Sequence, residues 1–214
     1  MRFEGLEESD RSIDLTALIL AGGQSSRMGQ DKALIEIQGV PLLRRVYDVA
    51  RCCAPAVSVV TPWPERYRAL LPRSCTLIQE APLENAAGNA VLGHGPLVGF
   101  AQGLAQVTTA WVLLLACDLP QLQAEPLQAG IERLVSSPDR AIALLPRHAK
   151  GWEPLCGFYH RRCLTDLEFF IQQGGRSFQK WLEQQIVEVL PISNPHLLFN
   201  CNTPDDLQAI RANR

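Results

Sequence analysis

A chain of 214 residues, 47% hydrophobic and 20% charged, suits one ordinary α/β domain with a sizeable core and is too apolar for a disordered segment. The formal net charge of -2 excludes a broad electrostatic attraction to nucleic acid, so an anionic ligand must be held by local groups. Seven cysteines, an odd number without a CxxC pair, argue against a disulfide framework and read as reduced thiols in a cytoplasmic compartment.

Residues 1–14 are polar and acidic, with no apolar signal-peptide core, and are expected to form a flexible leader ahead of one domain over 15–214. Leu15–Leu20 (LTALIL) has strand length, and the polar stretch AGGQSSRMGQDK follows it at once. A helix is expected from about Pro41 to Cys53, a strand over Val57–Val60, helical chain over Glu65–Leu71 and a strand over Thr76–Ile78. A Gly/Asn/Pro-rich loop, roughly Glu80–Pro96, leads to a helix over Leu97–Gln106. Trp111–Ala116 (WVLLLA) is a continuously apolar strand, far too short to span a bilayer, so no membrane is expected. The second half yields strands over Ala141–Pro146, 153–160 and Ile186–Pro191, and helices over Cys163–Gln173 and Ser177–Gln185. A closing helix over Pro204–Arg211 has Thr203 as its N-cap. Strands apolar on both faces, alternating with helices, imply a single α/β domain: a doubly wound, mostly parallel sheet.

In such sheets ligands gather at the carboxyl ends of the strands, and two loops there carry polar chemistry. In LAGGQSSRMGQDKA (Leu20–Ala33), Gly22 and Gly23 permit a sharp turn that offers backbone N–H groups to an anion. Arg27 and Lys32 add a planar fork and a point charge suited to triphosphate oxygens. The spacing is neither that of a P-loop nor that of a dinucleotide fingerprint. In ACDLPQL (Ala116–Leu122), Asp118 follows a buried strand directly, which aims a hard oxygen ligand for Mg²⁺ into the cleft. An N-capping aspartate is the plainer reading of Asp118 alone. Together the two loops contain every part of metal-assisted phosphoryl transfer. His94, His148, His160 and His196 lack metal-ligand spacing and read as surface or packing residues.

The loop LAGGQSSRMGQDK resembles the signature LAGGxSxRMGxDK of nucleotidyltransferases acting on sugar phosphates and cofactors. With GPLVGFAQGL (Gly95–Leu104), ACDLPQL, EPLCGFY (Glu153–Tyr159) and FNCNTPDDL (Phe199–Leu207), the chain resembles the molybdenum cofactor guanylyltransferases over about Thr16–Leu207. The resemblance implies a Rossmann-like nucleotidyltransferase fold and transfer of GMP from GTP to the terminal phosphate of molybdopterin, with release of pyrophosphate. Its substrates would be GTP and a molybdopterin-type acceptor, its cofactor Mg²⁺. Its protein contacts would be transient ones with other cofactor-biosynthesis proteins or molybdoenzymes, with no nucleic acid. Carried over residue by residue, Leu20, Ala21 and Gly22 would contact guanine, while Gly23, Arg27 and Lys32 would hold phosphates. Asp118 would bind Mg²⁺, and Asn202 and Asn200 fall beside the metal and the acceptor. Gly95 and Gly99 would allow close approach to the nucleotide.

Two positions depart from the pattern: Thr61 stands where the family often has Asn, and Glu80, or else Glu84, where it often has Asp. A carboxylate can accept from both guanine N1–H and N2–H₂, so Glu80 keeps the logic of guanine selection, while Thr61 weakens it. Two rival readings remain: a related nucleotidyltransferase using CTP or another phosphorylated acceptor, and a non-catalytic nucleotide-binding adaptor.

Overall fold

A computed structural model describes residues 13–22, 30–84, 90–91, 95–135 and 140–212. Seven strands build the central sheet: β1 (Leu15–Leu20), β2 (Ala56–Thr61), β3 (Thr76–Gln79), β4 (Trp111–Ala116), β5 (Ala143–Leu145), β6 (Cys156–His160) and β7 (Val187–Val189). Their order is β7-β5-β6-β4-β1-β2-β3. Only β6 runs antiparallel to its neighbours, with Phe158 opposite both Leu113 and Leu144. The expected α/β architecture, a doubly wound and mostly parallel sheet, is the one observed.

Alternation along β1 explains the two layers. Leu15, Ala17 and Ile19 face one core with Val57, Val59, Leu113 and Leu115. That core is closed by α1 (Leu42–Cys53) and α3 (Ala124–Leu134). Leu18 faces the other core, with Val60, Val112 and Leu114. There α2 (Pro96–Ala105), α4 (Leu164–Gln172) and α5 (Phe178–Leu182) close the layer. Burial on both faces is what makes these strands read as unbroken apolar runs.

Three features differ from the sequence reading. Helix α3 was not anticipated, because Pro126 and Gly130 punctuate it, although Leu127, Ile131 and Leu134 keep helical spacing. The stretch expected as a plain loop over Glu80–Pro96 contains a short antiparallel ribbon pairing Leu83 with Val91 and Glu84 with Ala90. A second ribbon, Glu36–Ile37 with Val40–Pro41, turns through Gln38 and Gly39 at φ 56° and 75°, the two positive values a tight hairpin requires. Most of the expected leader, and the loop positions 85–89 and 92–94, lie outside the described residues.

That small ribbon seeds a third, separate core. Ile35, Ile37 and Leu42 pack with Cys201, Leu207 and Ile210, the last two on the closing helix α6 (Pro204–Ala212). The chain just after Lys32 is thereby fastened to the chain just around Asn202. All seven cysteines are free thiols, five of them buried. Burial pushes Cys75 up to about 11, and Cys156 and Cys163 up to about 12, which keeps them as neutral packing groups. Among the described residues no helix is long and apolar enough to cross a membrane.

Gly130 marks a close approach of α3 to the sheet: a side-chain carbon there would meet Phe158 at 2.6 Å and Leu190 at 2.9 Å. Gly130→Val should therefore destabilise the fold by about 1–3 kcal/mol through overpacking, outweighing its modest gain in helix propensity. Urea denaturation should show a lower midpoint at unchanged slope.

Candidate active site

The parallel register brings the carboxyl ends of β1, β2 and β4 to one edge, where Leu20 lies opposite both Val60 and Ala116. Backbone hydrogen bonds continue past the strands. Ala21 N–H donates to Val60 O at 2.9 Å, and Cys117 N–H to Leu20 O at 3.2 Å. Asp118 thus leaves β4 on a constrained path, and its own carbonyl accepts from Cys201 N–H at 3.0 Å.

Lys32 joins the edge together. Its ammonium donates to Asp118 Oδ2 at 2.9 Å and to Asn202 Oδ1 at 2.5 Å. The side chains of Lys32 and Asp118 are only 19% and 17% exposed, so this pair is less screened than an ordinary surface ion pair. Lys32 opens a single 3₁₀ turn, Lys32–Leu34, capped by Asp31, whose Oδ1 accepts from Ala33 N–H at 3.1 Å.

Asn202 is held as firmly as its partners. Asp206 Oδ2 accepts from Asn202 N–H at 2.9 Å and Thr203 N–H at 2.8 Å, and Thr203 Oγ1 accepts from Asp206 N–H at 3.1 Å. This is a capping box in which Asp does the work of Glu, with Thr203 the expected N-cap of α6. Asn200 contributes its carbonyl, which accepts from Asn202 Nδ2 at 3.4 Å. Of the two asparagines, only Asn202 places its side-chain oxygen on Lys32.

The residues assigned to the base come together at a second point of the same edge. Gly22 has φ 148°, and a Cβ there would lie 2.3 Å from Pro62 Cδ, so the turn after β1 admits only glycine without rearrangement. Glu80 follows β3, with its N–H donating to Thr61 O at 2.9 Å. Its carboxylate lies 3.6 Å from where a Cβ on Gly99 would be, and Leu20 Cδ2 lies 3.9 Å from the same position. Leu20, Glu80 and Gly99 therefore meet, from three different elements. Gly95 precedes α2 at φ 93°, and among the described residues no atom lies within 4 Å of where its Cβ would be. Thr61 is fully buried and its Oγ1 accepts from Trp63 N–H at 3.1 Å, so it braces the turn after β2. Gly23 and Arg27 lie outside the described residues. The described histidines serve packing and surface contacts: His160 stands edge-on to Trp111, and His148 faces Glu153 at 3.7 Å.

Sequence reasoning missed Asp31, which caps the turn that begins at Lys32, and Asp206, which accepts from the Asn202 N–H. Asp206 was legible, since T-P-D-D before an apolar run is a capping signature. Asp31 lies inside the glycine-loop motif, but its partners are 35 and 36 residues away.

Two hard oxygens, from Asp118 and Asn202, thus converge on the Lys32 ammonium, and the Glu80 carboxylate lies beside Gly99 at another point of the edge. A charged phosphate chain and a base edge fit that arrangement.

Comparison with known proteins places the chain in a family. Residues 17–189 match the family described as the MobA-like NTP transferase domain. A protein of Nostoc sp., named probable molybdenum cofactor guanylyltransferase, is 59% identical over 198 residues, covering 92% of this chain and 91% of its own. The molybdenum cofactor guanylyltransferase of Pseudomonas putida is 34% identical over 199 residues, covering 89% and 94%. The crystal structure of molybdopterin-guanine dinucleotide biosynthesis protein A from Archaeoglobus fulgidus superposes with a TM-score of 0.72 at 23% identity, covering 92% and 96%. At that identity the likeness speaks for the fold.

The Asp206 carboxyl is held below the ordinary 3.8, chiefly by the Asn202 N–H it accepts. A lowered folded pKa means that its bracing is complete above the ordinary value and fades only as pH falls through the lower one. An NMR titration of the Asn202 amide should give a midpoint below 3.8, and Asp206→Asn should abolish that titration. A midpoint at or above 3.8 contradicts the bracing role.

Proposed function

The chain belongs to the MobA-like NTP transferase family, and on that premise we propose that it transfers GMP from GTP to the terminal phosphate of a molybdopterin-type acceptor, releasing pyrophosphate. The observation that carries the reading is the Lys32 ammonium fixed between Asp118 and Asn202 at the carboxyl edge of the sheet. The relatives' common name, molybdenum cofactor guanylyltransferase, supports guanine as the base and this acceptor class.

The acceptor phosphate, already an anion, attacks the α-phosphorus of GTP in line with the departing pyrophosphate, so the reaction needs no general base. Lys32, with Arg27 of the glycine loop, offsets the negative charge growing on the α-phosphate and the leaving group. The donor set at the edge also suits Mg²⁺, which takes one or two protein oxygens and leaves the rest of its shell to water and phosphate. Asp118 and Asn202 would hold it, where it would supply further charge neutralisation to the phosphate oxygens. The backbone of Leu20–Gly22 and the Glu80 carboxylate would read guanine N1–H and N2–H₂ beside Gly99. Thr61 acts beneath them as a brace. Free, mostly buried thiols support a reducing, cytoplasmic location.

The test is incubation of the protein with molybdopterin, Mg²⁺ and each nucleoside triphosphate in turn, followed by the mass of the product. A guanine dinucleotide from GTP is expected, and a product formed equally well from CTP contradicts the base assignment. Lys32→Ala should lower the transfer rate by about 2–4 kcal/mol of transition-state stabilisation, mainly in kcat. Asp118→Asn should lose most activity with the fold retained, since a neutral amide is a poor Mg²⁺ ligand. Wild-type rates in Asp118→Asn would remove Asp118 from the metal site.

A further inference from the structure

Asp31 immediately precedes Lys32, so a second carboxylate ligand for a cation is the role its place in the chain first suggests. Its geometry assigns a different one. Oδ1 accepts from Ala33 N–H at 3.1 Å, and Oδ2 accepts from the Tyr67 hydroxyl at 2.7 Å and from Arg66 Nη1 at 2.9 Å. Three donors on a side chain only 15% exposed commit both oxygens to the protein itself.

The donors are themselves fixed. Tyr67 is fully buried, and burial together with the Asp31 carboxylate pushes its hydroxyl well above the ordinary tyrosine range, so it remains a protonated donor. The Arg66 guanidinium lies 4.4 Å over the ring of Trp63. Both residues belong to the short helix Pro64–Tyr67, which follows directly on the turn after β2. Asp31 also closes the turn through its backbone: its carbonyl accepts from Leu34 N–H, and Lys32 O accepts from Ile35 N–H, both at 3.1 Å. The turn that starts at Lys32 is therefore tied to the β2 side of the edge, while the Lys32 ammonium reaches across to the β4 and α6 sides.

We propose that Asp31 is a positioning residue for Lys32: held by Tyr67 and Arg66, it fixes the turn from which the ammonium is delivered between Asp118 and Asn202. Its carboxylate acts on the reaction only through Lys32. The catalytic consequence rests on the proposed guanylyl transfer, whereas the fixing of the turn does not.

Two substitutions leave the surrounding packing in place. Tyr67→Phe removes one donor and keeps the ring in the core. Asp31→Asn sets an amide NH₂ against groups that are themselves donors. Steady-state transfer from GTP in the full chain should show kcat lowered by roughly tenfold or more in each variant, the usual scale for partners that orient a functional group, with KM for GTP essentially unchanged. In a Lys32→Ala background, adding Tyr67→Phe should cost nothing further. An equal loss in both backgrounds, or wild-type kcat in the single variants, overturns the proposal.

A second readout needs no transfer. Amide hydrogen exchange over residues 32–35, measured where all the proteins are fully folded, should be faster in Tyr67→Phe and Asp31→Asn than in wild type. Unchanged protection there overturns the positioning role. A wild-type protein that forms no guanine dinucleotide would instead refute the proposed function alone, with the exchange result still deciding the role of Asp31.

Discussion

One ammonium group joins three remote parts of the chain, since Lys32 bonds side chains 86 and 170 positions further along. Both acceptors are hard oxygens and the lysine–aspartate pair is largely shielded, so leaving either Lys32 or Asp118 unpartnered would be costly. The structure around this contact supports it from each side. Strand β4 delivers Asp118, a cap and an apolar cluster deliver Asn202, and the Asp31-capped turn delivers Lys32.

The small third core explains how a polar contact at a sheet edge keeps its geometry. Ile35 and Ile37 follow Lys32 by three and five residues, Cys201 adjoins Asn202, and these side chains are buried together with Leu207 and Ile210 of α6. Apolar burial, which is non-directional, supplies the bulk of the stabilisation there, while hydrogen bonds from Cys201 N–H to Asp118 O and from Asn202 N–H to Asp206 set the register. The same division of labour recurs at the base side. The Gly22 turn is forced by Pro62, and Glu80 is aligned by its backbone bond to Thr61 before its carboxylate faces Gly99.

Much of this was legible in the sequence because it rests on local signals. Continuous apolar runs marked β1, β2 and β4, glycines marked the turn after β1, and an aspartate at a strand end marked the site. Thr203 before Pro204 marked the start of α6. What escaped notice depends on contacts between distant residues. Helix α3 is masked in the sequence by Pro126 and Gly130, and the reason for the glycine, its approach to Phe158 and Leu190, lies far along the chain. Thr61 looks like a ligand residue at a strand end until its hydroxyl is found bonded within its own turn. Asp31 gives no local sign of its role, because the Arg66 and Tyr67 donors that meet its Oδ2 come from 35 and 36 residues away. The ribbon that pairs Leu83 and Glu84 with Val91 and Ala90 is too short to show alternation.

The claim that Lys32 and Asn202 act as one unit is tested most directly by a double-substitution cycle on the rate of GMP transfer. The rate would be measured for wild type, Lys32→Ala, Asn202→Ala and the combined variant under identical Mg²⁺ and GTP. Groups that serve one arrangement lose it when either is removed, so the combined variant should be little slower than the more damaged single one. Losses that multiply, with each substitution costing the same factor whether or not the other is present, would contradict the account.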